Sequence, residues 1–110
     1  MGLPRMTAPS RAVDIAAPPP QRIQRQRTTG WRMPANTVYV GRMTKFGNPF
    51  PVAVHGREAA VRLHREWLVE QPELLAAVRS ELRGRNLACW CPEGLACHAD
   101  TLLAVANEEA

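Results

Sequence analysis

The spacing of hydrophobic residues changes several times along the chain. Residues 37–41 and 86–91 are short runs rich in β-branched, aromatic and apolar side chains, which predicts two buried strands. Residues 56–70, 72–82 and 97–107 instead carry apolar side chains at helical intervals, which predicts three helices. Because strands and helices alternate, the pattern predicts a small single-domain α/β fold, with a mixed or partly parallel sheet flanked by helices.

The N-terminal part of the chain has a different composition. Residues 1–20 are rich in Pro, Ala and Arg and end in three prolines, which predicts a disordered or extended segment before a single α/β domain over residues 21–110. Residues 21–27 alternate only in part, which indicates an edge strand or an extended basic arm. We find neither an apolar signal-peptide core nor the roughly 20 apolar residues of a membrane span, so we expect a cytoplasmic protein with no membrane partner.

The charge balance favours an anionic partner. The chain has 14 Lys and Arg against 10 Asp and Glu, a net charge of +4, which suits a small anionic molecule or a nucleic acid. A solvated basic tail explains part of this excess equally well, because many of the arginines precede the first clear strand. The 3 cysteines lie close together, which is typical of a local site in a reducing compartment and not of a disulfide scaffold.

Two of these cysteines belong to the second predicted strand. Cys89 and Cys91 are two positions apart, so they face the same side, whereas Trp90 faces the opposite side and is expected to pack inside the protein. We predict that Cys89 and Cys91 contribute to a ligand-binding site. Buried cysteines also serve as small apolar core residues, and for Cys89 taken alone this explanation is the better one.

The start of the last predicted helix is the strongest candidate for catalysis. Free N–H groups and the helix dipole at this end stabilise a thiolate and attract anions such as phosphate. We therefore predict Cys97 as a nucleophile and His98 as its acid or base. Asp100 would cap the free N–H groups or hold His98 in one tautomer.

A zinc site is the alternative for the same residues. Cys89, Cys91, Cys97 and His98 are ligand types that zinc prefers, but their spacing is not the usual pair of C-x₂-C knuckles. Adjacent residues such as Cys97 and His98 reach one metal ion only with awkward geometry. We therefore predict no metal ligands and no cofactor, and zinc stays a minor alternative.

A second constellation follows the first predicted strand. In the loop of residues 41–50, here called the Arg42 loop, Arg42 and Lys45 supply cations, two glycines allow close backbone approach, and Asn48 offers an amide. These groups suit a phosphate bound beyond the carboxyl end of a strand. A structural turn in which Asn48 bonds to its own backbone explains the same residues equally well.

Aromatic side chains give a weaker indication. Trp31 lies beside Arg32 and is a candidate for stacking on a nucleic-acid base, although a lone tryptophan is more often part of a core. His64 and Trp67 share the apolar stripe of the longest predicted helix, which favours packing over ligand binding.

Several motifs of the chain occur together in one protein family. They are Arg22-Ile23-Gln24-Arg25, Gly30-Trp31-Arg32-Met33-Pro34, Val38-Tyr39-Val40-Gly41-Arg42, Lys45-Phe46-Gly47-Asn48-Pro49-Phe50, Cys89-Trp90-Cys91 and Cys97-His98-Ala99-Asp100-Thr101-Leu102-Leu103. Over about residues 20–107, the chain resembles the domain of unknown function 4326 family. The resemblance implies a bacterial or phage setting but no biochemical role.

One position departs from that family. The resemblance implies a proline after Gly-Arg, where this chain has Met43, and this affects the shape of the turn. The layout of a strand ending in Cys, a short loop and Cys-His at a helix start is also similar to the uncharacterised α/β family numbered 488. Similarity of layout does not establish a function.

Together these patterns lead to one functional hypothesis and its alternatives. We expect a domain that binds a phosphate-bearing ligand, a nucleotide or a nucleic-acid end, between the Arg42 loop and the segment from Cys89 to Asp100, with or without Cys/His catalysis. The alternative is a non-catalytic module that binds nucleic acid, or a phage module that binds a host protein, with structural cysteines that do or do not hold zinc.

Overall fold

The computed structural model describes residues 19–108. Most of the segment predicted to be extended, residues 1–18, therefore lies outside the described residues. Among residues 19–108, no helix combines the length and the apolar composition needed to cross a membrane. The elements of the described part, in chain order, are β1 (Arg22–Gln24), β2 (Thr37–Tyr39), α1 (Val52–His55), α2 (Arg57–Leu68), α3 (Pro72–Ala77), a π-helical turn (Val78–Leu82), β3 (Asn86–Cys89) and α4 (His98–Asn107).

The three strands form one parallel sheet, which confirms the predicted α/β class. β3 lies in the centre and pairs with β1 and β2, so that Ile23 is opposite Ala88 and Val38 is opposite Leu87. Pairing continues just beyond the strands, because the Val40 N–H donates to the Ala88 carbonyl oxygen at 3.0 Å. The carboxyl ends of all three strands therefore lie along one edge of the sheet.

The ends of the strands and the type of one helix differ from the predictions. Both strands predicted over residues 37–41 and 86–91 end two residues early, at Tyr39 and Cys89, because the chain turns there into loops. The helix predicted over residues 72–82 changes from α-helical to π-helical hydrogen bonding at Val78. The short helix α1 was not predicted, since four residues with no buried side chain give no periodic signal.

The core lies between the sheet and the helices packed against it. Leu87 of β3, Leu68 of α2, Leu82 of the π-helical turn and Leu102 of α4 are all essentially inaccessible to solvent, as is Val40 just after β2. Fully burying a side chain of this size stabilises the fold by roughly 1.5–3 kcal/mol. Helix α4 contacts β1, β3, α2 and the π-helical turn, and its first residue, His98, reaches the Val40 carbonyl oxygen just after β2.

Candidate functional site

A cavity of about 450 Å³ opens beside the carboxyl ends of β2 and β3, and we call it the sheet-edge cavity. The Arg42 loop and the segment after β3 both contribute to its wall, so the two stretches singled out in the sequence converge there. The lining residues are Tyr39, Gly41, Arg42, Met43, Asn48, Phe50, Pro51, Val52, Ala53, Arg57, Val61, Cys89, Trp90, Cys91, Ala96, Cys97 and His98.

The charged groups of the cavity wall are cationic. Arg42 and Arg57 line the cavity, and no acidic side chain is among the described residues that do so. Arg42 is exposed, whereas Arg57 is half-buried and donates from Nη1 to the Ala96 carbonyl oxygen at 3.1 Å. Arg57 was missed in the sequence, because it begins a helix and belongs to no recognisable motif. Unopposed cations in a partly enclosed hollow favour an anionic ligand.

Close backbone approach shapes the Arg42 loop. The Thr44 N–H donates to the Gly41 carbonyl oxygen at 3.2 Å, and the Gly47 N–H donates to the Thr44 carbonyl oxygen at 3.0 Å. A Cβ atom on Gly41 would overlap the Tyr39 side chain, and one on Gly47 would lie 2.9 Å from the Gly41 carbonyl oxygen. The fold of the loop itself therefore requires Gly47, whose neighbour is backbone, whereas a side chain at Gly41 would displace the Tyr39 ring.

Two other residues of the loop explain its local shape. Met43 has a φ of 73°, a conformation closed to proline, whose ring fixes φ near −65°. The turn in this chain therefore requires a residue other than proline here. Asn48 accepts from the Phe50 N–H at 2.8 Å and donates to the Ala60 carbonyl oxygen at 3.1 Å. Asn48 thus lines the cavity, and its amide group forms hydrogen bonds that stabilise the turn.

The three cysteines lie together at the cavity. Cys89 and Cys97 are buried, Cys91 is half-buried, and none is in a disulfide. Their sulfur atoms all lie within 4.8 Å of one another, so this three-cysteine cluster is compact enough to hold a metal ion. The Cys97 thiol donates to the Cys89 sulfur at 3.4 Å.

The ionisation of the thiols differs from what the sequence predicted. The hydrogen bond with Cys89 and burial raise the pKa of Cys97 to about 11, so the helix start does not make this thiol acidic. The same hydrogen bond lowers the pKa of Cys89. Burial and the neighbouring Cys97 thiol raise the pKa of Cys91, and the Arg57 guanidinium opposes that change.

His98 is oriented by the backbone of a neighbouring strand. Its Nε2 lies 2.8 Å from the Val40 carbonyl oxygen, which can only accept, so we assign the proton to Nε2. Nδ1 then faces the Cys97 sulfur at 3.7 Å. Burial opposes the protonated imidazole, but the hydrogen bonds with Cys97 and Val40 outweigh it and raise the pKa of His98. The predicted Cys97 and His98 pair is therefore in contact.

Sequence comparison identifies the family to which the chain belongs. The profile of one family, described as a domain of unknown function numbered 4326, matches residues 23–108. The chain belongs to the domain of unknown function 4326 family. No curated protein and no solved structure shows significant similarity to the chain. The matched residues 23–108 include both the Arg42 loop and the three cysteines, and residues of both line the sheet-edge cavity.

In this 4326-family domain, Asp100 accepts hydrogen bonds from a backbone N–H and from an arginine, and it forms none with the imidazole of His98. Asp100 accepts from the Cys97 N–H at 3.3 Å and from Arg22 Nη1 at 2.9 Å, with its side chain 55% exposed. Arg22 also donates from Nη2 to the Pro92 carbonyl oxygen at 3.0 Å. Asp100 therefore caps α4 and ties β1 to the segment that carries the cysteines, and it does not line the cavity.

Two other predicted ligand-binding residues lie elsewhere. Lys45 does not line the cavity, because its Nζ pairs with Glu81 of the π-helical turn at 2.7 Å. Trp31 is half-buried and is also absent from the cavity wall. The sequence could not reveal either placement, since each depends on tertiary packing.

Trp90 is the aromatic residue that the predictions misplaced. It lies beyond the end of β3, is 37% exposed and lines the cavity. The guanidinium carbons of Arg25 and Arg27 lie 4.7 and 4.3 Å from its ring centroid. The combination of an aromatic face with arginines, which we sought at Trp31, occurs instead at Trp90.

Proposed function

We propose that the sheet-edge cavity binds a phosphate-bearing ligand, either a nucleotide or the end of a nucleic acid. The observation that carries the proposal is that one hollow is lined by the Arg42 loop and by the segment from Cys89 to His98. In parallel α/β sheets, ligands bind in crevices beyond the carboxyl ends of the strands, which is where this hollow lies.

The size and lining of the cavity support this ligand class. Its volume of about 450 Å³ falls among small-molecule sites, which occupy about 300–1,000 Å³. Tyr39, Phe50 and Trp90 give aromatic surface for a flat base, and Arg42 and Arg57 give positive charge for a phosphate. A nucleoside monophosphate offers both parts in one molecule.

Calorimetric titration tests the proposal. The probes are the four common nucleoside monophosphates, their parent nucleosides and inorganic phosphate, each added to the reduced, metal-free protein. We expect one nucleotide to bind more tightly than its nucleoside, and Arg42→Ala to weaken it about tenfold, the equivalent of about 1.4 kcal/mol.

The matched control is Arg65→Ala. Arg65 is an exposed arginine on α2 that does not line the sheet-edge cavity, so its removal changes the net charge equally and should leave affinity unchanged. The proposal fails if no probe binds, or if both arginine variants weaken binding to the same degree.

A non-catalytic nucleic-acid-binding module is the second candidate, because of the stacking of Trp90 with Arg25 and Arg27 beside the cavity. In that case short single-stranded oligonucleotides would bind with a steep salt dependence and mononucleotides would not. Arg27→Ala would then weaken oligonucleotide binding. Fluorescence anisotropy at several salt concentrations separates the two candidates.

Catalysis by Cys97, His98 and Asp100 stays a prediction. The contact between Cys97 and His98 supports it, whereas the position of Asp100 outside the cavity favours a structural role for that residue. Incubation with the nucleotide that binds, followed by mass spectrometry, tests it: a product that Cys97→Ala forms at the wild-type rate would exclude Cys97 as the nucleophile.

A further inference from the structure

The three-cysteine cluster has the dimensions of a zinc site. In a tetrahedral site with Zn–S bonds of about 2.3 Å, two sulfur ligands are about 3.8 Å apart. In this chain one sulfur pair is 3.4 Å apart and all three pairs are within 4.8 Å. Small side-chain rotations therefore suffice to bring three thiolates around one ion.

The backbone that carries the cysteines is already held in place. The five residues between Cys91 and Cys97 form a loop that is tied near its start by Arg22, through the Pro92 carbonyl oxygen, and at its end by Arg57, through the Ala96 carbonyl oxygen. Groups that fix the ligands of a metal in advance increase its affinity. Three thiolates and one divalent ion together carry one net negative charge. The positive charges of both arginines therefore stabilise such a group.

We propose that Cys89, Cys91 and Cys97 bind one zinc ion and leave its fourth coordination position open toward the sheet-edge cavity. All three cysteines line that cavity. His98 does not belong to the cluster, because its Nε2 is engaged by the Val40 carbonyl oxygen and its Nδ1 contacts Cys97. Three protein ligands with one open position are typical of catalytic zinc sites, whereas structural sites have four. This inference is independent of phosphate binding, which is tested on metal-free protein.

Cobalt substitution is the direct test. Co²⁺ added to the reduced, metal-free chain should give the visible absorption of a tetrahedral ion and a thiolate-to-metal charge-transfer band, saturating at one ion per chain and bleached by Zn²⁺. Cys91→Ser should weaken zinc binding by at least about 100-fold, measured by competition with a chromogenic chelator. We choose Cys91 because it is half-buried, so its replacement perturbs the core least.

His55→Ala is the matched control, since it removes an exposed histidine that does not line the sheet-edge cavity and should leave zinc affinity unchanged. Protection from alkylation gives a second readout that requires no variant: zinc should slow the reaction of the half-buried Cys91 thiol of the native chain with iodoacetamide. The site would be overturned if the cobalt bands are absent, if Cys91→Ser keeps the native affinity for zinc, or if zinc leaves the alkylation rate of Cys91 unchanged.

The open position has its own test. Imidazole added to the cobalt-loaded chain should alter the visible spectrum, because it can occupy the free coordination position. A spectrum that imidazole leaves unchanged would show a closed, four-ligand site and would refute the open position.

Discussion

Acidification should destabilise this domain through His64. The side chain of His64 is 1% exposed, and its Nδ1 has no hydrogen-bond partner. Its ring lies 5.2 Å from that of His98. Burial and the charge of His98 lower the pKa of His64 from 6.5 to about 4. The folded protein therefore keeps His64 neutral at pH values where the unfolded chain binds a proton.

The size of the effect follows from this shift. A lowered pKa contributes stability that is complete above the unfolded value of 6.5 and is lost as the pH falls toward the folded value of about 4. Each pH unit in this window costs about 1.4 kcal/mol, so the free energy of unfolding should fall by about 2 kcal/mol between pH 7 and pH 5. The pKa of His98 is raised, so His98 has the opposite pH dependence, and the contribution of His64 is therefore measured as the difference between the native chain and a His64 variant.

Urea denaturation followed by tryptophan fluorescence at pH 7 and pH 5 measures the effect. His64→Leu should lose less stability than the native chain over this interval, by about 2 kcal/mol. His55→Ala, which removes an exposed histidine, should behave like the native chain. Equal losses in the native chain and in His64→Leu would refute the assignment of the acid sensitivity to His64.

Three further sets of substitutions test the packing and the Arg42 loop. Leu102→Ala creates a cavity in the core and should cost about 2–5 kcal/mol in urea denaturation; a loss below about 1 kcal/mol would contradict the packing. Arg22→Met removes a guanidinium that is 11% exposed and has two partners, so it should cost about 1–3 kcal/mol, against less than about 1 for the exposed Lys45→Met. Equal losses would refute that ranking. Gly47→Ala should cost about 1–3 kcal/mol through its clash with the Gly41 carbonyl oxygen, and an unchanged melting temperature would contradict this.

The sequence was sufficient to predict the class of fold and the meeting of two distant stretches. Val38 and Leu87 lie in runs whose composition identifies strands, and loops that leave the carboxyl ends of parallel strands share one edge of the sheet. The convergence of the Arg42 loop with the cysteine segment follows from that topology. Cys89 and Cys91 both line the sheet-edge cavity, although Cys91 lies beyond the end of the ladder, where strand alternation does not apply.

The sequence could not predict which polar groups face the cavity. Lys45 was expected to bind the ligand, yet it pairs with Glu81, because the packing of the π-helical turn places that carboxylate beside it. Asp100 likewise pairs with Arg22 of the edge strand, far away in sequence. Trp90 lies outside the ladder, so the alternation rule that placed it in the core did not apply. Each outcome depends on tertiary contacts that no local pattern encodes.

The pKa of Cys97 illustrates the same limit. The helix start predicts an acidic thiol, but a buried neighbouring sulfur and loss of solvent have the larger effect and raise the pKa to about 11. The Ala99 N–H at the helix start does lower the pKa of Cys97, but the Cys89 thiol and burial outweigh that effect.

Chemical-shift mapping tests the central claim most directly. A ¹⁵N-labelled sample is titrated with the nucleoside monophosphate that binds best, and backbone amide shifts are followed along residues 19–108. The account predicts that the largest changes occur together in the Arg42 loop and in the segment from Cys89 to His98, and that Arg42→Ala removes both sets. Changes confined to one of these stretches, or located on another surface of the domain, would contradict it.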